Sequence, residues 1–352
     1  MSVSSGPELT HTVRGCWLTV NRACNLRCEW CYAAGEGSAA GRNMPLELAR
    51  QLLDAAAELG AGSAVLIGGE PTLYPYLSEV AKHARCVGIS PTLITNGLRL
   101  SDEVFCERVV ESGVERVTVS VKGGSEDQYL KLVRAGGFGR MLRGAENLRR
   151  LGVEPSFEIT VVDGLLADIG GMLSSLTSRG IRHLTVDLAS PVVTGGRIEV
   201  PGVPDPLELR DAMHRIYWSV DPESLDYVVY MTIPFCLLDP EVLRGLKAQD
   251  RLVSSCHVPR GDALVFDEHG GVLPCNHMGG HVLGRWGVDF SSARTLMDFW
   301  YTTAVEEFRS VCGCYSAEPC IDCPEWGECG GGCMIKWMFW DPADFIGGFL
   351  DR

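Results

Sequence analysis

The chain has no long apolar run: no stretch reaches the roughly 18 apolar residues that a membrane-spanning helix needs. Its first residues, MSVSSGPELTHTVRG, lack the apolar h-region of an export signal. Basic residues are also scarce. Lys and Arg total 31 against 45 Asp and Glu, a formal net charge of −14, which argues against a broad nucleic-acid surface. There is no low-complexity tract and no repeat of solenoid length. The expectation is a cytoplasmic protein with neither membrane nor nucleic acid as partner.

What the chain does have is an apolar content of 46% over 352 residues, enough to bury the cores of about two domains. It also has 15 cysteines. Without an export signal these thiols sit where they are kept reduced, so disulfides explain them poorly. Three fall between Cys24 and Cys31 and six between Cys312 and Cys333, the grouping of metal ligands. Iron with sulfide is the first reading, and thiolate ligation would shift the true charge away from −14.

From residue 15 to about 190, apolar strand-like runs alternate with helical stretches: GCWLTV, SAVLIGG, SPTLITNG, ERVTVSV, VEPSFEITVV and IRHLTVDLA, with helices over PLELARQLLDAAAELG (45–60) and near 75–86, 102–112, 140–151 and 166–178. Six such units predict an α/β fold with a parallel sheet and right-handed crossovers, either open or curled into a partial barrel. In such folds the strand ends carry the chemistry. The Gly/Pro-rich stretch after Pro191 reads as a boundary, which sets the expected units at 1–190, a connecting segment at 191–229 with helical segments continuing to 255, and a Cys-rich region over 230–352 that needs metal to hold its shape.

Cys24, Cys28 and Cys31 follow the first strand at spacing C-x3-C-x2-C, with Trp30 between the last two. Three thiolates on a four-iron cubane leave one iron open, the arrangement of a catalytic metal. The alternative is a zinc loop with a distant fourth ligand. The second strand ends in Gly68-Gly69-Glu70-Pro71, the third in Asn96-Gly97, and the fourth in Ser120 and Lys122, all at one rim. Each glycine pair alone reads as a turn. Together these ends offer close backbone approach, a carboxylate for an ammonium, and polar groups for ribose hydroxyls.

CNLRCEWC followed by GGEP resembles the radical S-adenosylmethionine (SAM) superfamily over roughly residues 14–190. The resemblance implies a partial (βα)6 TIM-type barrel and a 4Fe–4S cluster whose open iron binds SAM and yields a 5′-deoxyadenosyl radical. It further implies that Gly68, Gly69 and Glu70 hold the methionyl end, that Trp30 and Tyr32 flank the cofactor, that Asn96, Ser120 and Lys122 serve the ribose, and that backbone from Val161 to Asp163 meets adenine. Excluding water from the half-open barrel requires a lid, which the remaining chain could supply.

Further on, Cys256-x13-Gly270-x4-Cys275 precedes Cys320-x2-Cys323-x5-Cys329-x3-Cys333. This resembles the SPASM domain, which carries two auxiliary iron–sulfur clusters, with a zinc ribbon as the alternative. The resemblance puts Cys256, Cys275 and Cys333 on one cluster and Cys320, Cys323 and Cys329 on the other, both 4Fe–4S. The family pattern ends in a further cysteine, but none follows Cys333. Cys236 is the natural completion of the first set and Cys312 or Cys314 of the second, with an open iron or a carboxylate ligand as alternatives.

Cys16, Cys86 and Cys106 read as buried structural thiols. The tail KWMFWDPADFIGGFL reads as an apolar seal, and His257, His277 and His281 as hydrogen-bonding neighbours of the cluster cysteines. Candidate acid–base groups are Asp187, Glu158 and Tyr74, each placed to face the cavity. The resemblance implies oxidative modification or crosslinking of a ribosomally made peptide. No leader-binding domain fits before a first strand near residue 15, so the expectation is a separate leader-binding protein or none, with flavodoxin or ferredoxin as electron donor. The alternatives are a dehydrogenase or epimerase of a small metabolite such as a sugar or aminocyclitol, and a non-catalytic iron–sulfur or zinc protein.

Overall fold

A computed structural model describes residues 13–33, 42–254 and 256–346. The opening residues and the last part of the apolar tail lie outside the described residues. Six strands, β1 (Gly15–Thr19), β2 (Ser63–Ile67), β3 (Ser90–Thr95), β4 (Arg116–Val121), β5 (Ser156–Val161) and β6 (His183–Leu188), pair in parallel in chain order. The helices between them are α1 (Leu46–Glu58), α2 (Leu77–Cys86), α3 (Glu103–Glu111), α4 (Glu126–Val133), α5 (Phe138–Arg150), α6 (Asp163–Leu166) and α7 (Ile169–Ser178). This is the partial (βα)6 barrel expected from the sequence.

Alternation within the strands sets the two faces of the sheet. In β4, β5 and β6 the residues Val117, Val119, Phe157, Ile159, Leu184 and Val186 are buried, while Thr118, Ser120, Glu158, Thr160, Thr185 and Asp187 lie on the opposite, half-buried face. A two-residue period lets one strand serve an apolar core and a polar cavity at once. The helices seal the apolar side; Leu52 and Leu53 of α1 are fully buried, each worth roughly 1.5–3 kcal/mol of transfer free energy.

Two connections differ from the sequence reading. The β4–β5 link holds an extra helix, α4, whose N-terminus is capped by Ser125 accepting from Gln128 N. The helix expected near 166–178 is broken into α6 and α7.

The later chain extends the same sheet at both edges. After the hairpin β7 (Val192–Thr194) and β8 (Arg197–Glu199) come α8 (Pro206–Ser219), β9 (Asp226–Tyr230), α9 (Pro240–Ala248) and β10 (Leu252–Val253). β9 joins β6 in parallel and β10 joins β9. At the far edge α10 (His257–Arg260) leads into β11 (Ala263–Phe266), parallel to β1, with β12 (Gly271–Leu273) and β13 (Gly284–Arg285) antiparallel beyond it. α11 (Ala293–Trp300), α12 (Thr303–Cys312), α13 (Trp326–Cys329), α14 (Met334–Trp337) and α15 (Ala343–Ile346) complete the fold. No helix among the described residues is long and apolar enough to cross a membrane.

The turn after β11 is bound to the exit of β1 by a buried ion pair. Arg22 Nε donates to Glu268 Oε2 at 2.8 Å, with side-chain exposures of 5% and 2%. Removing one partner of such a pair strands the other charge in the interior. Glu268→Gln is therefore expected to cost about 3 kcal/mol, checked by denaturant unfolding of the full chain; a change below about 0.5 kcal/mol contradicts this role.

Candidate functional site

All six strands of the barrel end at one rim, and the loop carrying Cys24, Cys28 and Cys31 lies on it. The loop has no helix or strand of its own. Leu26 anchors it in the core at 4% exposure, and Arg27 N donates to Val133 O at 3.0 Å. At its base, Gly69 N donates to Asn21 O (2.9 Å) and Glu70 N to Ala23 O (2.7 Å). A Cβ on Gly69 would stand 2.5 Å from Ala23 O, and one on Gly68 would stand 2.6 Å from Asn21 O. Both glycines are thus required by the cysteine loop's own backbone, where the sequence pointed to close approach of a ligand.

Glu70 has a positioning role in this geometry. Its carboxylate, at 1% exposure, accepts from Thr72 N (3.0 Å), Thr72 Oγ1 (2.6 Å), Thr95 Oγ1 (2.5 Å) and Asn96 N (2.8 Å). Asn96 Nδ2 in turn donates to Asn25 Oδ1 inside the cysteine loop at 2.7 Å, and its Oδ1 accepts from Leu98 N. The ends of β2 and β3 are therefore wired to the loop through Glu70 and Asn96. Sequence reasoning missed Asn25, and only the C-N-L-R-C context marked it.

Lys122 is the cation of the rim. Its Nζ donates to Ser120 Oγ at 2.9 Å and stands 5.9 Å from the Trp30 ring centroid. Tyr32 Oη donates to Gly68 O at 3.4 Å, and its ring stacks on His277 with centroids 5.8 Å apart. That stack joins the first cysteine loop to the one containing Cys275. The Val161 side chain is buried beneath the helices, and its carbonyl accepts from Ala189 N at 3.2 Å.

Glu158 and Asp187 lie on the inward face, on paired strands β5 and β6, while Tyr74 does not. Tyr74 is 2% exposed and its hydroxyl donates to Met44 O at 2.8 Å, so the core holds it away from the cavity. Burial pushes the Asp187 carboxyl up to about 7, with Glu158 adding to the shift while Lys336 and Lys122 oppose it. Burial likewise raises Glu158, opposed by Lys122. Lys336 of α14 is fully buried, donates to Ala189 O, and is pulled down to about 8 by burial. The tail motif gave no hint of it.

Burial pushes the Cys24 thiol up to about 12 and also raises Cys28, where Lys122 opposes the shift. The three thiols of the loop lie within electrostatic range of one another. Among the described residues, no three His, Cys, Asp or Glu side chains converge at single-ion distance. Soft thiol donors on one short loop, with a lysine that favours the anionic form of Cys28, fit an iron–sulfur cluster. Of the three structural thiols expected, Cys16 and Cys106 are buried, whereas Cys86 is exposed at the C-terminal end of α2.

Because Gly69 holds the base of the loop, Gly69→Ala is expected to lower reconstituted iron by about four per chain while far-UV circular dichroism is preserved. Full iron retention in that variant contradicts the positioning role.

The profile of the Radical SAM superfamily matches residues 18–169. An Fe-coproporphyrin III synthase of Methanosarcina barkeri is 30% identical over 165 residues, 47% of this chain and 41% of that protein. An AdoMet-dependent heme synthase of the same organism is 32% identical over 128 residues, 36% of each chain. The match thus spans less than half the length of either relative. Among solved structures, Streptococcus suis SuiB bound to S-adenosylmethionine has a TM-score of 0.69 at 17% identity, covering 93% of this chain and 74% of that one. Native anSMEcpe with bound AdoMet has a TM-score of 0.70 at 18% identity, covering 91% and 89%. At these identities the likeness is one of fold. Cysteine loop, GGE turn, barrel topology and sequence match agree: this chain carries a radical SAM superfamily domain.

Proposed function

We propose that this protein is a cytoplasmic radical SAM enzyme that takes a hydrogen atom from a ribosomally made peptide and leaves it oxidised or crosslinked. The observation that carries the reading is the placement of the three-cysteine loop, fixed by Gly69 and Glu70, on the rim of a cavity whose inward layer contains Ser120, Glu158 and Asp187. When bound, a reduced cluster and SAM supply a carbon radical strong enough to attack an unactivated C–H bond.

The chain's own residues do the remaining work. Cys24, Cys28 and Cys31 would hold the cluster at which SAM is cleaved. Glu70, Asn96 and Asn25 keep the loop in register with the strand ends, and Trp30, Tyr32, Gly68, Ser120, Lys122 and the backbone near Val161 surround the cofactor. Asp187, with its carboxyl near neutrality, holds or accepts a proton from the substrate while Glu158 stays beside Lys122. The C-terminal cysteines would hold two auxiliary clusters, which would supply an electron sink. A peptide substrate is supported by the fold shared with anSMEcpe, solved with the Cp18Cys peptide, and with SuiB, solved with precursor peptide SuiA. The external electron donor is a flavodoxin or ferredoxin.

The test is anaerobic reconstitution with iron and sulfide, reduction by dithionite, and reaction with SAM and any short peptide found encoded beside the gene. A peptide lighter by a pair of hydrogens is expected. 5′-Deoxyadenosine with no peptide change, but with conversion of a small metabolite, favours the metabolite reading.

Two variants separate the steps. Cys28→Ala is expected to abolish 5′-deoxyadenosine formation while the apolar strands stay folded, and normal cofactor cleavage by it contradicts the ligand assignment. Asp187→Asn is expected to keep cofactor cleavage within about twofold yet reduce peptide product by about 100-fold, the range of general acid–base catalysis. In the wild-type chain product formation should rise with pH through about 7, because the deprotonated carboxylate is the accepting form. A flat profile contradicts that role.

A further inference from the structure

The C-terminal cysteines are brought together in an order that their spacing does not suggest. Cys236 lies in the short turn Phe235–Leu237, where Phe235 N donates to Cys329 Sγ at 3.3 Å. The flanks of this turn clasp the same segment. Cys333 N donates to Thr232 O at 2.9 Å, and a Cβ on Gly332 would stand 2.8 Å from Thr232 O. On the other side, Lys247 of α9 pairs with Glu325 and with Glu328 (2.8 Å), and Ser254 Oγ donates to Glu328 O. Cys236 is thereby within electrostatic range of Cys320, Cys323 and Cys329.

Cys312 ends α12, which packs on α10, whose N-cap is Cys256. A Cβ on Gly313 would touch Pro259 Cβ at 3.6 Å, so the end of α12 meets the start of α10 directly. His257 Nε2 donates to Pro274 O at 3.1 Å, drawing Cys275 to the same place. Cys275, Cys333 and Phe308 of α12 pack around the buried Val193, Met278 and Ile335. Cys312 is within electrostatic range of Cys256 and Cys333 as well as of its neighbour Cys314, which is exposed and whose Sγ donates to Ser310 O at 3.3 Å.

We infer that the two auxiliary clusters exchange their expected fourth ligands: Cys236 closes the set of Cys320, Cys323 and Cys329, and Cys312 closes the set of Cys256, Cys275 and Cys333. The inference rests on the reading that these cysteines hold clusters. Both clusters are then closed by four thiolates drawn from the described residues. Neither then offers a vacant iron to substrate, so the SAM cluster keeps the one open corner.

The experiment uses the reconstituted full chain, with iron analysis and electron paramagnetic resonance after reduction. The wild type should hold about twelve irons, and Cys323→Ala and Cys275→Ala about eight each, every loss removing a different auxiliary signal. Cys236→Ser should alter only the signal that Cys323→Ala removes, and Cys312→Ser only the one that Cys275→Ala removes. Cys314→Ser should alter none. Reversed pairing, unchanged spectra in the Cys236 and Cys312 variants, or a shift on replacing Cys314 overturns the exchange while leaving the clusters themselves in place. A wild type with only about four irons overturns the underlying reading and the exchange with it. If a serine variant does not accumulate, alkylation of the wild-type holoprotein decides: Cys314 reacts and Cys236 and Cys312 are spared, whereas modification of either in the iron-replete chain overturns the assignment.

Discussion

Two backbone hydrogen bonds, Gly69 N to Asn21 O and Glu70 N to Ala23 O, join the end of β2 to the segment that leads into Cys24. The cysteine loop has no regular structure of its own, so its shape is inherited from the strand end on which it lies. Side chains at positions 68 and 69 would force the two backbones apart. Glu70 then distributes the constraint, because one buried carboxylate accepts from Thr72, Thr95 and Asn96, and Asn96 reaches back to Asn25. A carboxylate satisfied this fully is rigid, and rigidity is what a loop must borrow if three thiols are to meet one cluster.

The same rim concentrates charge where water is scarce. Burying Glu158, Asp187 and Lys336 is unfavourable for each alone, and Glu158 further disfavours the charged form of Asp187; the attraction of Lys336 and Lys122 for Asp187, and of Lys122 for Glu158, offsets part of the cost. Asp187 near neutrality is the residue of that balance. Lys336 comes from the C-terminal region, so the cavity's electrostatics depend on chain beyond the six-stranded barrel. Arg22 with Glu268, and Tyr32 with His277, tie that region to the cysteine loop as well.

Much of the barrel was legible because its strands alternate strictly: the inward positions of Glu158 and Asp187 follow from a two-residue period once β5 and β6 are identified. The rim was legible as a set, since strand ends of a parallel sheet share one side. The duties of its members were not, because Glu70 and Asn96 also bond to partners that lie 25 or more residues away. Tyr74 was misplaced for a similar reason: the short turn after Pro71 carries it out of the cavity and onto Met44. α4 escaped notice although Ser125 followed by Glu126 and Asp127 is a helix-start signal. Cysteine spacing did not show that Cys236 lies near Cys329, because the backbone beside Cys236 reaches Cys329 through packing between segments almost a hundred residues apart.

The central claim is that the loop of Cys24, Cys28 and Cys31 holds a cluster with one iron free for the sulfonium cofactor. Its most direct test is electron paramagnetic resonance of the reduced, reconstituted chain titrated with SAM. The account predicts that SAM shifts one cluster signal, that the Cys28→Ala variant lacks that signal, and that the remaining signals stay fixed. A spectrum indifferent to saturating SAM would contradict it.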